Sequence, residues 1–193
     1  MKQLRVLVAE DEPITSLDIR EMLGEAGLVV VGDCGDGVRA ISLARSLSPD
    51  LVIMDIKMPI MNGIEAAEVL NRERVAPVLL LTAYSNPELI EKARAAGVLA
   101  YLVKPVTKNS LIPACHIAVA RYEEFDIIRN EIGDLQEALE ARRLIERAKG
   151  LLQKKYLLSE ENAFQKIRQV SQNQNKPLKE VAEAIVLSLQ DKQ

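Results

Sequence analysis

Short runs of apolar, largely β-branched residues recur through the first half of the chain, at positions 4–9, 28–31, 51–54, 78–81 and 100–103. Their near-continuous hydrophobicity predicts strands buried on both faces. Between them, apolar residues at helical spacing occupy 14–26, 37–47, 63–73 and 87–96. Strand and helix alternate, which predicts an α/β domain with a doubly wound, five-stranded parallel sheet covered by helices. A fifth helix is expected from Asn109 or Ser110, which would put Pro113 within the first four helical positions, where no intrahelical acceptor is needed.

After Arg121 the pattern is helical only. Phe125, Ile128, Ile132, Leu135 and Leu139 follow 3-4-3-4 spacing, a stripe that a second helix can cover as a short coiled coil. The stripe then slips by one residue to Ala141, Ile145, Ala148 and Leu152, so the packing partner is expected to change from a helix of a dimer to a local bundle. Ser159 can cap a helix carrying Ala163, Phe164, Ile167 and Val170, with Phe164 assigned to the core. Pro177 opens another carrying Leu178, Val181, Ala182, Ile185, Val186 and Leu189. The expected organisation is an α/β domain over 1–121, a coiled-coil linker helix over 122–142 and a three-helix unit over 143–193.

A composition of 48% hydrophobic and 27% charged residues is that of a soluble globular chain. No apolar run is long enough for a signal peptide or a membrane span, so a cytoplasmic protein without membrane partners is expected. Cys34 and Cys115 lack neighbours at metal-ligand spacing and read as small buried residues. Charge is divided unevenly: residues 1–142 carry 15 Lys+Arg against 22 Asp+Glu, net −7, and residues 143–193 carry 10 against 6, net +4. A basic segment on an acidic body admits a polyanion as its partner, although a solvated basic face is the commoner origin of such a surplus.

In an open parallel sheet, chemistry gathers beyond the C-terminal ends of the strands. Here those ends carry Glu10-Asp11, Asp55, Thr82 and Lys104-Pro105. Each residue alone could be a helix cap or a solvated charge, but caps do not account for the whole set in this order. Clustered carboxylates call for a hard divalent cation, and an incomplete oxygen cage suits Mg²⁺. An Asp carboxylate can attack a phosphoryl group while a cation and a lysine neutralise the developing charge; Asp55, Asp11 and Lys104 can fill these roles.

The same residues resemble the receiver domain of bacterial response regulators: Glu10-Asp11, then Asp55 followed by Lys57-Met58-Pro59 and Gly63, then Thr82-Ala83, then Lys104-Pro105. The resemblance spans residues 1 to about 121. It implies Asp55 as phosphoacceptor and Mg²⁺ held at Glu10, Asp11, Asp55 and the Lys57 carbonyl. It also implies Lys104 as phosphate contact behind a cis peptide, Thr82 with Tyr101 as the switch pair, and a sensor histidine kinase as partner.

Residues Arg143 to Leu152, Ser159 to Phe164 and Leu178 to Ala182 look like the ANTAR domain of transcription antitermination regulators, over about 140–190. The combination is most like the ethanolamine-utilisation antiterminators. It implies binding to tandem RNA stem-loops in a nascent leader, with no enzyme activity beyond self-dephosphorylation. The two heptads from Phe125 to Leu139 are marginal for a stable coiled coil, so a homodimer is expected to form on phosphorylation. Arg143, Arg147, Lys149, Gly150, Lys154, Lys155, Arg168 and Lys176 are the candidate RNA contacts. Gly150, costly inside a helix, implies close approach of a helix or of a ligand backbone. The alternative is a DNA-binding response regulator with a helix-turn-helix, against which stand the acidic start after 156–159 and the long polar break expected over 172–176. A catalytic output domain would need a nucleophile–base pair that residues 143–193 lack. The single histidine, His116, is expected on the surface of the fifth helix.

Overall fold

The computed structural model describes residues 3–83 and 87–190. They form two compact units that divide between Asp126 and Ile127.

The first unit holds strands β1 (Arg5–Ala9), β2 (Val29–Cys34), β3 (Leu51–Asp55), β4 (Val78–Thr82) and β5 (Ala100–Val103) in one parallel sheet of order β2-β1-β3-β4-β5. Helices α1 (Pro13–Glu25), α2 (Gly37–Leu47), α3 (Gly63–Arg72) and α4 (Pro87–Ala95) fill the connections, and α5 (Lys108–Tyr156) follows β5. Alternate residues of the strands serve opposite faces. Leu7, Val52, Met54 and Leu80 pack with Ala40, Ala44, Ala67 and Leu70 of α2 and α3. Val6, Val8, Ile53, Leu79 and Leu81 pack with Ile19 and Leu23 of α1 and with Leu111, Cys115 and Ala118 of α5. The three central strands are therefore covered on both sides, as their apolar runs predict. The outer strands are not: Val29 on β2, and Tyr101 and Val103 on β5, are exposed.

Caps fix where the helices begin. Asp36 accepts from the Arg39 N–H at 2.9 Å at the start of α2, and Asn62 accepts from Ile64 and Glu65 at 3.0 and 2.9 Å at the start of α3. Pro13 supplies the fixed φ that opens α1. Helix α5 begins at Lys108, earlier than expected, so Pro113 is its sixth residue and lies inside the helix. It therefore removes one intrahelical donor, beyond the turn where that loss is free. Cys34 and Cys115 are free and buried, and His116 is exposed. Burial raises both thiols, Cys115 to about 12.

The second unit contains the rest of α5 with α6 (Glu160–Gln174) and α7 (Leu178–Gln190). Ala148 and Leu152 of α5 meet Ala163 and Ile167 of α6 and Val181, Ala182 and Val186 of α7 in one core. This is the slipped stripe. The earlier one, Phe125, Ile128, Ile132, Leu135 and Leu139, is exposed throughout. Phe164 departs from expectation: it is half-buried and stands outside the core. The connections also differ, since α5 and α6 are joined by 157–159 and α6 and α7 by 175–177, three residues each. Left-handed Asn175 ends α6 with its N–H bonded to Gln172 and lets the chain turn sharply where a longer break was expected.

Gly63 couples the fold to the strand ends, because a Cβ there would collide with the Asp55 carbonyl oxygen. Its own N–H donates to Ile56 O at 2.9 Å, so neither side can retreat. Gly63→Ala is expected to destabilise the first unit by about 1–3 kcal/mol through overpacking, read as a lower denaturation midpoint in urea. An unchanged midpoint would show that the loop yields freely.

Candidate functional site

The sheet order brings β1 and β3 side by side with their connections leaving in opposite directions, which opens a crevice at their C-terminal ends. Glu10 and Asp11 follow β1 directly and Asp55 is the last residue of β3. Their carboxylates lie within 4.8 Å of one another. From beyond β5 comes Lys104, whose Nζ is 2.7 Å from Glu10 Oε2 and 3.2 Å from Asp55 Oδ1. The Lys104 N–H donates to Thr82 O at 2.8 Å, and the Lys104–Pro105 peptide is cis. Thr82 is buried at the end of β4. Tyr101 pairs with Leu80, two residues short of Thr82 along the register, and its ring is exposed. Lys57, also exposed, lies two residues past Asp55 in the loop to α3.

Burial is the largest influence on both inner acids. It raises Glu10, against the hydrogen bond from Lys104, and raises Asp55, against the charge of Lys104. For Lys104 burial opposes the charged form, but Glu10 and Asp55 outweigh it and hold the ammonium above its usual pKa. Three carboxylates against one ammonium leave the crevice net negative. The donors are hard oxygens, two of them buried and Asp11 exposed, so a small divalent cation could bind there and keep part of its water shell. The Glu10–Lys104 bond has no signature in the sequence, where 94 positions separate the two residues.

The basic candidates of the second unit fall into two groups. Arg143, Arg147, Lys154, Lys155, Arg168 and Lys176 are exposed. Lys149 is not: its Nζ sits 2.9 Å from Glu146 and 2.7 Å from Glu160, and the residue is 8% exposed. It ties α5 to the start of α6. Lys179 of α7 likewise reaches Glu140 at 2.9 Å and Glu137 at 3.7 Å on α5. A Cβ on Gly150 would meet nothing within 4 Å, so close helix packing is not the reason for that glycine.

The raised pKa of Asp55 makes a signed prediction. A carboxylate that binds its proton more tightly when folded lowers stability while ionised, and this penalty fades as pH falls through the raised pKa. Asp55→Asn is therefore expected to raise the Tm at pH 7 without divalent ions by a few degrees, ~1 kcal/mol corresponding to roughly 2–4 °C in a chain of this size. The gap should close near pH 4, and Mg²⁺ should raise the wild-type Tm more than that of the variant. A lower Tm for the variant at pH 7 would mean that the Lys104 pair outweighs burial.

Comparison with known proteins agrees with this geometry. The response regulator receiver domain family matches residues 6–116 and the ANTAR domain family matches residues 133–186. The transcriptional regulatory protein PdtaR of Mycobacterium tuberculosis is 47% identical over 185 residues, 96% of this chain and 90% of its own. Protein CcdB of Bacillus subtilis is 37% identical over 111 residues, 57% of this chain and 92% of its own. Among solved structures, the signal receiver domain of the response regulator NarL from Mycobacterium tuberculosis superposes with a TM-score of 0.60 at 26% identity, over 62% of this chain and 98% of its own. The likeness over nearly the whole length is to a PdtaR-type regulator, and an ethanolamine-utilisation subtype does not follow from it. With a receiver crevice at its strand ends and an ANTAR match beyond, the chain belongs to the response regulators, regulatory proteins rather than enzymes.

Proposed function

We propose that this protein is a cytoplasmic response regulator that accepts phosphate on Asp55 from a sensor histidine kinase, dimerises, and binds stem-loop RNA in a nascent leader to prevent transcription termination. The observation that carries the reading is the meeting of Glu10, Asp11, Asp55 and Lys104 at adjoining strand ends, in a chain whose C-terminal unit matches the ANTAR family.

In this reading an Asp55 carboxylate oxygen attacks phosphorus; the new O–P bond forms as the P–N bond to the kinase histidine breaks, and the electron pair leaves on the imidazole. Glu10, Asp11, Asp55 and the Lys57 carbonyl would hold Mg²⁺, which when bound neutralises phosphoryl oxygen charge. Lys104, already 3.2 Å from Asp55, exchanges a carboxylate for a phosphate oxygen. Its N–H bond to Thr82 O links that movement to β4, where the Thr82 hydroxyl can turn toward the phosphate and leave room for the exposed Tyr101 to move inward.

The output follows from the exposed stripe on α5. Phe125, Ile128, Ile132, Leu135 and Leu139 make two heptads of exposed apolar surface, enough for a marginal coiled coil that added receiver contacts can tip to a dimer. Two basic units held together would then engage two stem-loops, the second at high effective concentration. Arg143, Arg147, Lys154, Lys155, Arg168 and Lys176 supply exposed charge, and open Gly150 lets an RNA backbone come close. The three-residue connections are also short enough for a helix-turn-helix, so turn length does not separate RNA from DNA and the ANTAR match carries the choice.

Asp55→Asn is expected to take up no phosphate from a small acyl phosphate with Mg²⁺, measured by labelling; stoichiometric uptake would remove Asp55 from its role. Lys104→Ala should still be phosphorylated yet show no phosphate-dependent gain in RNA binding. By light scattering, wild type should pass from monomer toward dimer on addition of donor. The Ile132→Asp, Leu135→Asp double variant should stay monomeric and lose most of its affinity for a two-hairpin RNA, because the seam would bury unpaired charge. Tighter binding to duplex DNA than to matched hairpins would favour the DNA-binding alternative.

A further inference from the structure

Helix α5 ends at Tyr156, and the next residue, Leu157, takes a left-handed backbone with φ 52° and a side chain that is 92% exposed. That position after a helix is one that glycine occupies without strain. A leucine there is disfavoured by its backbone and contributes no packing, since the core is entered by Leu158, the residue after it. An exposed apolar side chain held in a strained conformation points to a use outside folding.

Its neighbour has the same character. Tyr156 is 49% exposed, with Lys166 Nζ 4.8 Å and Lys155 Nζ 5.8 Å from the ring centroid. The lysines of this unit are not equivalent. Lys149 and Lys179 are committed to carboxylates, whereas Lys155 and Lys166 have no ion pair among the described residues and lie over an aromatic face instead. Lys154 adds a third exposed ammonium. Of the two acids that start α6, Glu160 is neutralised by Lys149, which leaves Glu161 as the nearby opposing charge.

We propose that Tyr156 and Leu157 at the α5–α6 turn are the base-contacting element of the RNA site, Tyr156 as a stacking platform for one unpaired nucleobase and Leu157 as the apolar wall beside it. The inference rests on the reading of this unit as RNA-binding and adds which residues touch bases rather than phosphates. A π face flanked by unpaired ammoniums matches a ligand that offers flat bases and phosphates together. The base is unpaired, because a base stacked within a duplex has no free face. On binding it takes the ring face that Lys166 covers in the free protein, and the released ammonium meets the adjoining phosphate. An apolar protein partner would gain nothing from those ammoniums, and a duplex would offer the ring no base.

The test uses the full-length chain, phosphorylated throughout with a small acyl phosphate and Mg²⁺, and a hairpin selected for wild-type binding from an RNA pool with randomised loops, alongside a fully paired RNA of equal length. Tyr156→Ala should weaken hairpin binding about 5- to 150-fold, the range for loss of one stacked base, with little change for the paired RNA. Tyr156→Phe should restore it. Leu157→Gly should keep or raise the Tm while weakening hairpin binding several-fold, a combination that a structural role would not produce. Lys155→Ala with Lys166→Ala should flatten the salt dependence by about 1.4 in log–log slope. If wild type binds the hairpin, Arg143→Ala weakens it, and Tyr156→Ala and Leu157→Gly bind as wild type, the inference falls and the RNA reading stands. The same holds if Tyr156→Ala loses as much on paired RNA as on the hairpin. If wild type binds no RNA from the pool, the RNA reading falls and this inference with it.

Discussion

Lys104 holds the first unit's chemistry in balance. Three carboxylates brought within 4.8 Å at a half-buried sheet edge repel one another, and burial makes the two inner ones still harder to ionise. The ammonium reaches both of them from the end of β5. That reach requires β5 to lie at the far side of β4 and Thr82 to anchor the lysine backbone. The strand order therefore decides the electrostatics. A phosphate attached at Asp55 would enter a crevice whose cation is already committed, and so must alter those commitments.

Much of this was legible in the sequence because the signals were local. Buried central strands declare themselves as apolar runs, and each acid of the cluster is at or beside the end of its strand in sequence. What escaped depended on tertiary partners. Nothing in the sequence around Lys104 names Glu10, and nothing in the basic run of α5 marks Lys149 as the lysine whose partners, Glu146 and Glu160, draw it inward. Phe164 falls on the apolar side of a helical wheel, yet it is only half-buried and lies outside the core that Ala163 and Ile167 of the same helix enter. The short turn after α6 was hidden in a polar stretch, because asparagine can adopt the left-handed conformation that ends a helix without glycine.

Helix α5 shows how one element can carry two separate hydrophobic instructions. Its slipped stripe, Ala148 and Leu152, is satisfied within the chain, while the stripe from Phe125 to Leu139 is left in water. The slip of one residue turns the two stripes to different sides of the helix, so filling one does not consume the other. The exposed stripe can thus be changed without disturbing the core that the slipped stripe fills.

The two cysteines have a practical consequence. Cys34 and Cys115 are buried, and burial raises both thiols, Cys115 to about 12, so the nucleophilic thiolate is scarce at neutral pH. Slow reaction of the native protein with alkylating dyes is the expected consequence. One cysteine introduced on the exposed seam or at the α5–α6 turn would carry a fluorophore selectively, with no need to rebuild the core around missing sulfurs.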